Sequence, residues 1–101
     1  MSFSISTEAA MWFRDEFNLG DGEHLQFYIK IYGGIPTPQA SYFLGIRPSE
    51  AGDSSQKAVA EGITFYFNET DTWFLDDYDL NIVLESGEPQ YNFNPKNETS
   101  D

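Results

Sequence analysis

Side chains able to make and break bonds are scarce in this sequence. Cysteine is absent, which excludes disulfides, thiolate nucleophiles, Cys-ligated zinc and thiolate-held iron–sulfur clusters. Histidine occurs once, at His24, so neither a Cys–His pair nor a multi-histidine metal site can be assembled within one chain. His24 falls in the polar turn ahead of a strand and is read as exposed. Carboxylates, by contrast, crowd the segment 69–79, at Glu69, Asp71, Asp76, Asp77 and Asp79. Such oxygen ligands suit Ca²⁺ or Mg²⁺, and paired carboxylates can serve as general acid and base. The spacing is not that of an EF-hand loop, because Trp73, Phe74 and Leu75 interrupt the series. The competing reading is a solvated helix–turn edge with Asp71 as a cap. A hydrolase or isomerase working through Asp76, Asp77 or His24 lacks a visible nucleophile–base pair, and the chain is expected not to be an enzyme.

Two further groupings invite a functional reading. Gly33-Gly34 lacks the later glycine, the lysine and the following helix of a phosphate-binding loop, so a tight turn is the better account. Tyr28, Tyr32 and Tyr42, with Trp12 or Trp73, could form an aromatic recognition surface, since Tyr and Trp dominate binding hot spots. Packing between sheet and helix accounts for the same residues and is favoured.

The elements that would position these residues follow from periodicity. Ser6 and Thr7 precede a stretch in which Ala10, Phe13 and Phe17 recur at helical spacing, with Ala9 and Trp12 widening the stripe, so a capped amphipathic helix runs to about Asn18. From Leu25 the period becomes two: Leu25, Phe27, Ile29 and Ile31 share one face of a strand, and Gln26, Tyr28, Lys30 and Tyr32 the other. Gly33 to Pro38 is expected to be an irregular loop, Ser41 to Ile46 a second strand ended by Pro48, and Ser49 to Lys57 a mobile polar loop. Val59 to Asn68 reads as a strand bent or bulged at Gly62. Thr70-Asp71-Thr72 opens a short helix, and Leu80, Ile82, Leu84 and then Tyr91, Phe93 alternate in two last strands separated by a turn at Gly87. The order gives an α+β architecture on mixed or antiparallel sheet.

The composition bounds the rest. The chain has 101 residues, of which 40% are hydrophobic and 17% aromatic, enough for one core and too apolar for wholesale disorder. Seventeen acidic against five basic residues give a formal charge of −12. A field of that sign repels phosphate backbones and anionic lipid, which argues against nucleic-acid and membrane partners, and it attracts cations or a basic protein. The N-terminus shows no basic start followed by an apolar run, and no apolar stretch approaches the ~20 residues of a spanning helix, so a cytoplasmic location is expected. The sequons at Asn68 and Asn97 are treated as chance.

Five short segments, taken in order, resemble the HesB/IscA-like family of A-type iron–sulfur cluster biogenesis proteins. They are Ile5 to Ala10, the strand entering Gly33-Gly34, Gly62-Ile63-Thr64-Phe65, Trp73 to Leu80, and Tyr91-Asn92-Phe93-Asn94-Pro95-Lys96-Asn97. The resemblance implies a small HesB-like β-sandwich of mixed or antiparallel strands with an N-terminal helix and a short second helix. In cluster-carrying members a cysteine follows the glycine pair and two more follow the Asn-Pro-Asn ending. Here Ile35 stands at the first position, and the chain reaches Ser100 about where the second motif would begin. Neither can ligate iron as a thiolate does, so cluster chemistry does not carry over.

The expectation is therefore a single domain over residues 1–95 with a frayed tail at 96–101. Its function would be that of a non-enzymatic, cysteine-free HesB-like protein in an accessory or protein-interaction role, with a protein partner or self-association and no cofactor. The alternative is a divalent-cation-binding protein using Asp71, Asp76, Asp77 and Asp79.

Overall fold

The computed structural model describes residues 2–39, 41–50 and 54–96. Ser6 caps helix α1 (Thr7–Glu16), its hydroxyl oxygen accepting from the Ala9 amide at 3.1 Å, and Glu8 complements the positive helix end. Ala9, Ala10 and Phe13 turn inward as the spacing requires.

Eight strands form two sheets. β1 (Phe3–Ile5) runs parallel to β7 (Tyr78–Glu85), which pairs antiparallel with β8 (Glu88–Pro95). The second sheet has the order β3 (Ile35–Pro36), β4 (Phe43–Ser49), β2 (His24–Lys30), β6 (Ile63–Phe67), β5 (Lys57–Ala60), with β2 and β6 parallel and its other pairs antiparallel. A 3₁₀ helix, η1 (Glu69–Asp76), links β6 to β7. The molecule is thus a small α+β protein with mixed sheets, an N-terminal helix and a short second helix.

Both sheets and α1 share one apolar core. The Phe3 ring of β1 meets Phe27 of β2 and Phe67 of β6 edge-on, at centroid distances of 5.4 and 5.9 Å. Phe13 of α1 meets Phe27 and Phe65 in the same manner, each at 6.0 Å. Each buried phenylalanine contributes roughly 1.5–3 kcal/mol, and the edge-to-face geometry adds to it. At the margin of this core Tyr91 on β8 is half-buried, and the lost hydration pushes its hydroxyl up to about 12.

Several local expectations change. Gly33 and Gly34, at φ of +62° and +121°, let the chain pass to the far side of β4, where Ile35 pairs with Leu44 in a strand that runs in the same direction as β2; the expected loop thus contains a strand. The alternation of β2 stops at Lys30, and Ile31 is 60% exposed. β4 continues through Pro48, because β3 pairs only with Leu44 and Phe43 and leaves that end of β4 on the sheet edge, where a missing amide is tolerated. Gly62 is not a bulge. With Glu61 it forms a two-residue hairpin turn in which both residues have positive φ, 53° and 78°. Lys96 is tied back, its amide donating to the Asp77 carbonyl at 2.9 Å. Residues 51–53 of the expected polar loop and 97–101 of the expected tail lie outside the described residues.

Candidate functional site

The acidic residues of 69–79 do not converge. Asp71 Oδ2 accepts hydrogen bonds from the Ile29 amide at 3.0 Å and from Asn68 Nδ2 at 3.1 Å, pinning η1 to the end of β2. Asp76 and Asp77 are exposed, and Asp79 lies 3.6 Å from Lys96 Nζ. Among the described residues no three His, Cys, Asp or Glu side chains are grouped to hold a metal ion. The divalent-cation reading is corrected accordingly: Asp71 is occupied by the Ile29 amide and the Asn68 side chain, and Asp79 leans to a cation. Ile35 is half-buried in β3, packed against the core, and Ser100 lies outside the described residues.

His24 is half-buried rather than exposed. It begins β2, its ring lies edge-on to Tyr66 at 6.2 Å, and its Nδ1 is buried with no hydrogen-bond partner among the described residues. Beside it is an open cavity of about 390 Å³ whose rim carries Glu23, Ser49 and Glu50. The Ser49 hydroxyl oxygen accepts from Tyr66 Oη at 2.7 Å, so that contact orients it toward the tyrosine rather than toward an imidazole base. The aromatic residues also separate. Tyr42 and Trp73 pack edge-to-face at 5.4 Å, Tyr32 stands 81% exposed beyond β2, and Trp12 borders a shallow groove with Met11 and Leu84.

Tyr28 lies elsewhere, on the outward face of the five-stranded sheet, and that face is chemically distinct. The inward positions of β2 and β6 are Leu25, Phe27, Phe65 and Phe67; alternation sends Gln26, Tyr28, Lys30 and Tyr66 to the opposite face, where Gln26 and Tyr66 are themselves buried. On β4 the outward positions include Phe43, Gly45 and Arg47, and on β5 Lys57 and Val59. Three of the five basic residues in the chain, Lys30, Arg47 and Lys57, therefore share this face. No outward strand position on it is Asp or Glu; carboxylates resume at its border, at Glu23 and Glu50.

Local packing holds the face in shape. The Arg47 guanidinium carbon sits 4.6 Å from the Tyr28 ring centre, and Arg47 Nε donates to Gln26 Oε1 at 2.6 Å. The ring can lie there because residue 45 is glycine: a Cβ would come within 2.5 Å of Tyr28 Cζ and 2.9 Å of Lys30 Cδ. Among the described residues the ion pairs are Arg14–Asp21 and Lys96–Asp79, and the three cations of this face have no carboxylate partner. The alternation along β2 already places Tyr28 and Lys30 together. Arg47 and Lys57 join them only through strand pairing, which the sequence does not display.

The fold and this surface define a small α+β protein with one sheet face that is cationic and aromatic in an otherwise acidic molecule. No family model matches the chain. It is 30% identical over 95 residues to a protein of Bacillus subtilis (strain 168) named pyruvate dehydrogenase inhibitor, covering 92% of this chain and 99% of that protein, and it belongs to that protein's family. An uncharacterized protein of Staphylococcus saprophyticus is 26% identical over 89 residues, 86% of this chain and 91% of that one. These findings correct the expected place in the HesB/IscA-like family and the accessory role near iron–sulfur assembly, because the relative that shows the family bears the name of an enzyme inhibitor. The short motifs behind that resemblance include Gly33-Gly34, Gly62 and the alternating ending, which recur wherever tight turns join strands.

Proposed function

We propose that this chain is a non-catalytic regulator that binds a pyruvate dehydrogenase and lowers its activity. What carries the reading is the near full-length match to the Bacillus subtilis protein, 99% of whose length is aligned. Inhibition by contact needs a presented surface rather than a reactive centre, and among the described residues no metal ligands are grouped. No helix among the described residues is long and apolar enough to cross a membrane, which is compatible with meeting an enzyme in the cytoplasm.

The test is direct. Purified chain titrated into purified pyruvate dehydrogenase of the same organism is expected to lower the rate in a saturable manner and to co-elute with the enzyme. An unchanged rate with the chain in large excess overturns the reading.

A further inference from the structure

We propose that the groove between α1 and β7 docks an apolar side chain of the protein partner that is flanked there by two basic residues. The inference rests on the regulatory reading and assigns its contact surface.

Helical spacing builds the groove. Glu8, Met11, Trp12 and Asp15 stand at positions i, i+3, i+4 and i+7 of α1 and share one face, distinct from the face that buries Ala9, Ala10 and Phe13. Leu84 of β7 closes the other side. The floor is firm, because Trp12 and Leu84 are half-buried against the core and the Trp12 ring meets Phe13 edge-on at 5.1 Å. Met11 is 49% exposed, and an unbranched thioether adapts its shape to an incoming side chain. The groove holds about 280 Å³. Small-molecule sites take roughly 300–1,000 Å³ and enclose their ligand, so a shallow groove of this size suits a side chain carried on a protein surface.

Charge selects the occupant. Glu8 and Asp15 bracket the apolar floor, and both are exposed. Among the described residues the ion pairs are Arg14–Asp21 and Lys96–Asp79, so neither bracketing carboxylate has a cation. Asp15 lies in the last turn of α1, where the helix dipole disfavours negative charge, and the helix gains nothing from it. At the end of β7, Glu85 and Glu88 stand opposite each other, both exposed, and deepen the negative field beside Leu84. Glu8 and Asp15 are two helical turns apart, roughly 10 Å. The partner therefore presents Lys or Arg on either side of its apolar residue at about that spacing.

The described residues that adjoin undescribed ones lie away from this groove. The Ser2 carbonyl accepts from the Leu80 amide, and the Lys96 amide donates to the Asp77 carbonyl, roughly 23 Å down the strand direction from Leu84. Gln39, Ser41, Glu50 and Ser54 belong to connections of the five-stranded sheet.

The experiment measures binding and inhibition of the purified pyruvate dehydrogenase by the full chain and by Asp15→Lys, Asp76→Lys and Met11→Gln. The first two change the charge equally, and Asp76 is exposed just before the opposite end of β7. The expected result is at least a tenfold weakening for Asp15→Lys, at least fivefold for Met11→Gln and a change within twofold for Asp76→Lys. Lysine at the negative helix end is favourable, so the thermal midpoint of Asp15→Lys is expected to equal or exceed that of the wild type, which separates lost binding from lost folding. Met11→Gln keeps a good helix former at an exposed position and carries the test if Asp15→Lys fails to fold. Wild-type binding with Asp15→Lys and Met11→Gln unweakened overturns the groove and leaves the regulatory reading standing. Equal weakening by Asp15→Lys and Asp76→Lys also overturns it, since net charge then accounts for the effect. No binding or inhibition by the wild-type chain overturns the regulatory reading and this assignment with it.

Discussion

At Asp71 a carboxylate substitutes for a missing strand. β6 pairs with β2 only as far as Phe27, and two residues further on the Ile29 amide donates to Asp71 Oδ2 instead of to a ladder carbonyl. The same oxygen accepts from Asn68 Nδ2, so one side chain satisfies a strand amide and fastens the start of η1. Removing it leaves a part-buried donor unpaired, at a cost of about 1–3 kcal/mol. Asp71→Ala is expected to lower the midpoint of urea unfolding accordingly, whereas Asp76→Ala and Asp77→Ala, at exposed positions, are expected to stay within about 0.5 kcal/mol of the parent. Equal, small effects at all three would show that Asp71 does not carry this junction. The sequence signals a cap at Asp71 because capping is local; that its partner is Ile29 depends on a contact forty-two residues away in the chain, which periodicity does not encode.

Among the elements, those whose signal is local were legible. Helix α1 combines a cap, an acidic first turn and a 3.6-residue stripe within ten residues, and the core of β2 shows uninterrupted alternation. The misread segments are those where pairing decides. Gly33 to Pro38 looks like a breaker, yet two positive-φ glycines let the chain pass to the far side of β4, where Ile35 pairs with Leu44. Pro48 stays in β4 because the sheet ends there. The β5–β6 hairpin hides its turn, since Glu61 is an unusual occupant of a left-handed position and only Gly62 betrays it. That turn is also a junction. Arg14 at the end of α1 donates to Asp21 at 2.8 Å and to the Glu61 carbonyl, and a Cβ on Gly62 would meet Asp21 Oδ1 at 2.5 Å. Gly62→Ala is therefore expected to destabilise by about 1–2 kcal/mol from the positive φ, with more where Asp21 is displaced. Gly20→Ala, with nothing within 4 Å and no positive φ, is expected to be near neutral in the same thermal melts. A neutral Gly62→Ala would mean that the hairpin relaxes freely and does not brace α1.

For the whole molecule the governing quantity is charge. Net charge was readable by counting; its segregation was not, because Arg47 and Lys57 come onto one face only across four paired strands. The segregation also bears on stability. Attraction within the described residues is limited to two ion pairs, of which Arg14–Asp21 has an aspartate 84% exposed and Lys96–Asp79 a separation of 3.6 Å. Pairs of that kind contribute roughly 0–1 kcal/mol each. Against them stands the mutual repulsion of an excess of twelve negative charges on a small surface, which the unfolded chain relieves by expanding. Salt screens both terms over about 10 Å at 0.1 M, and the repulsion is the larger one. Raising sodium chloride from about 10 to about 300 mM is therefore expected to raise the thermal midpoint by several degrees, corresponding to about 1 kcal/mol for a protein of this size. Lys57→Glu, which replaces a cation with a carboxylate and shifts the net charge from −12 to −14, is expected to show a steeper rise. A midpoint that falls with salt would mean that attraction, centred on the cationic face, outweighs repulsion in the folded chain.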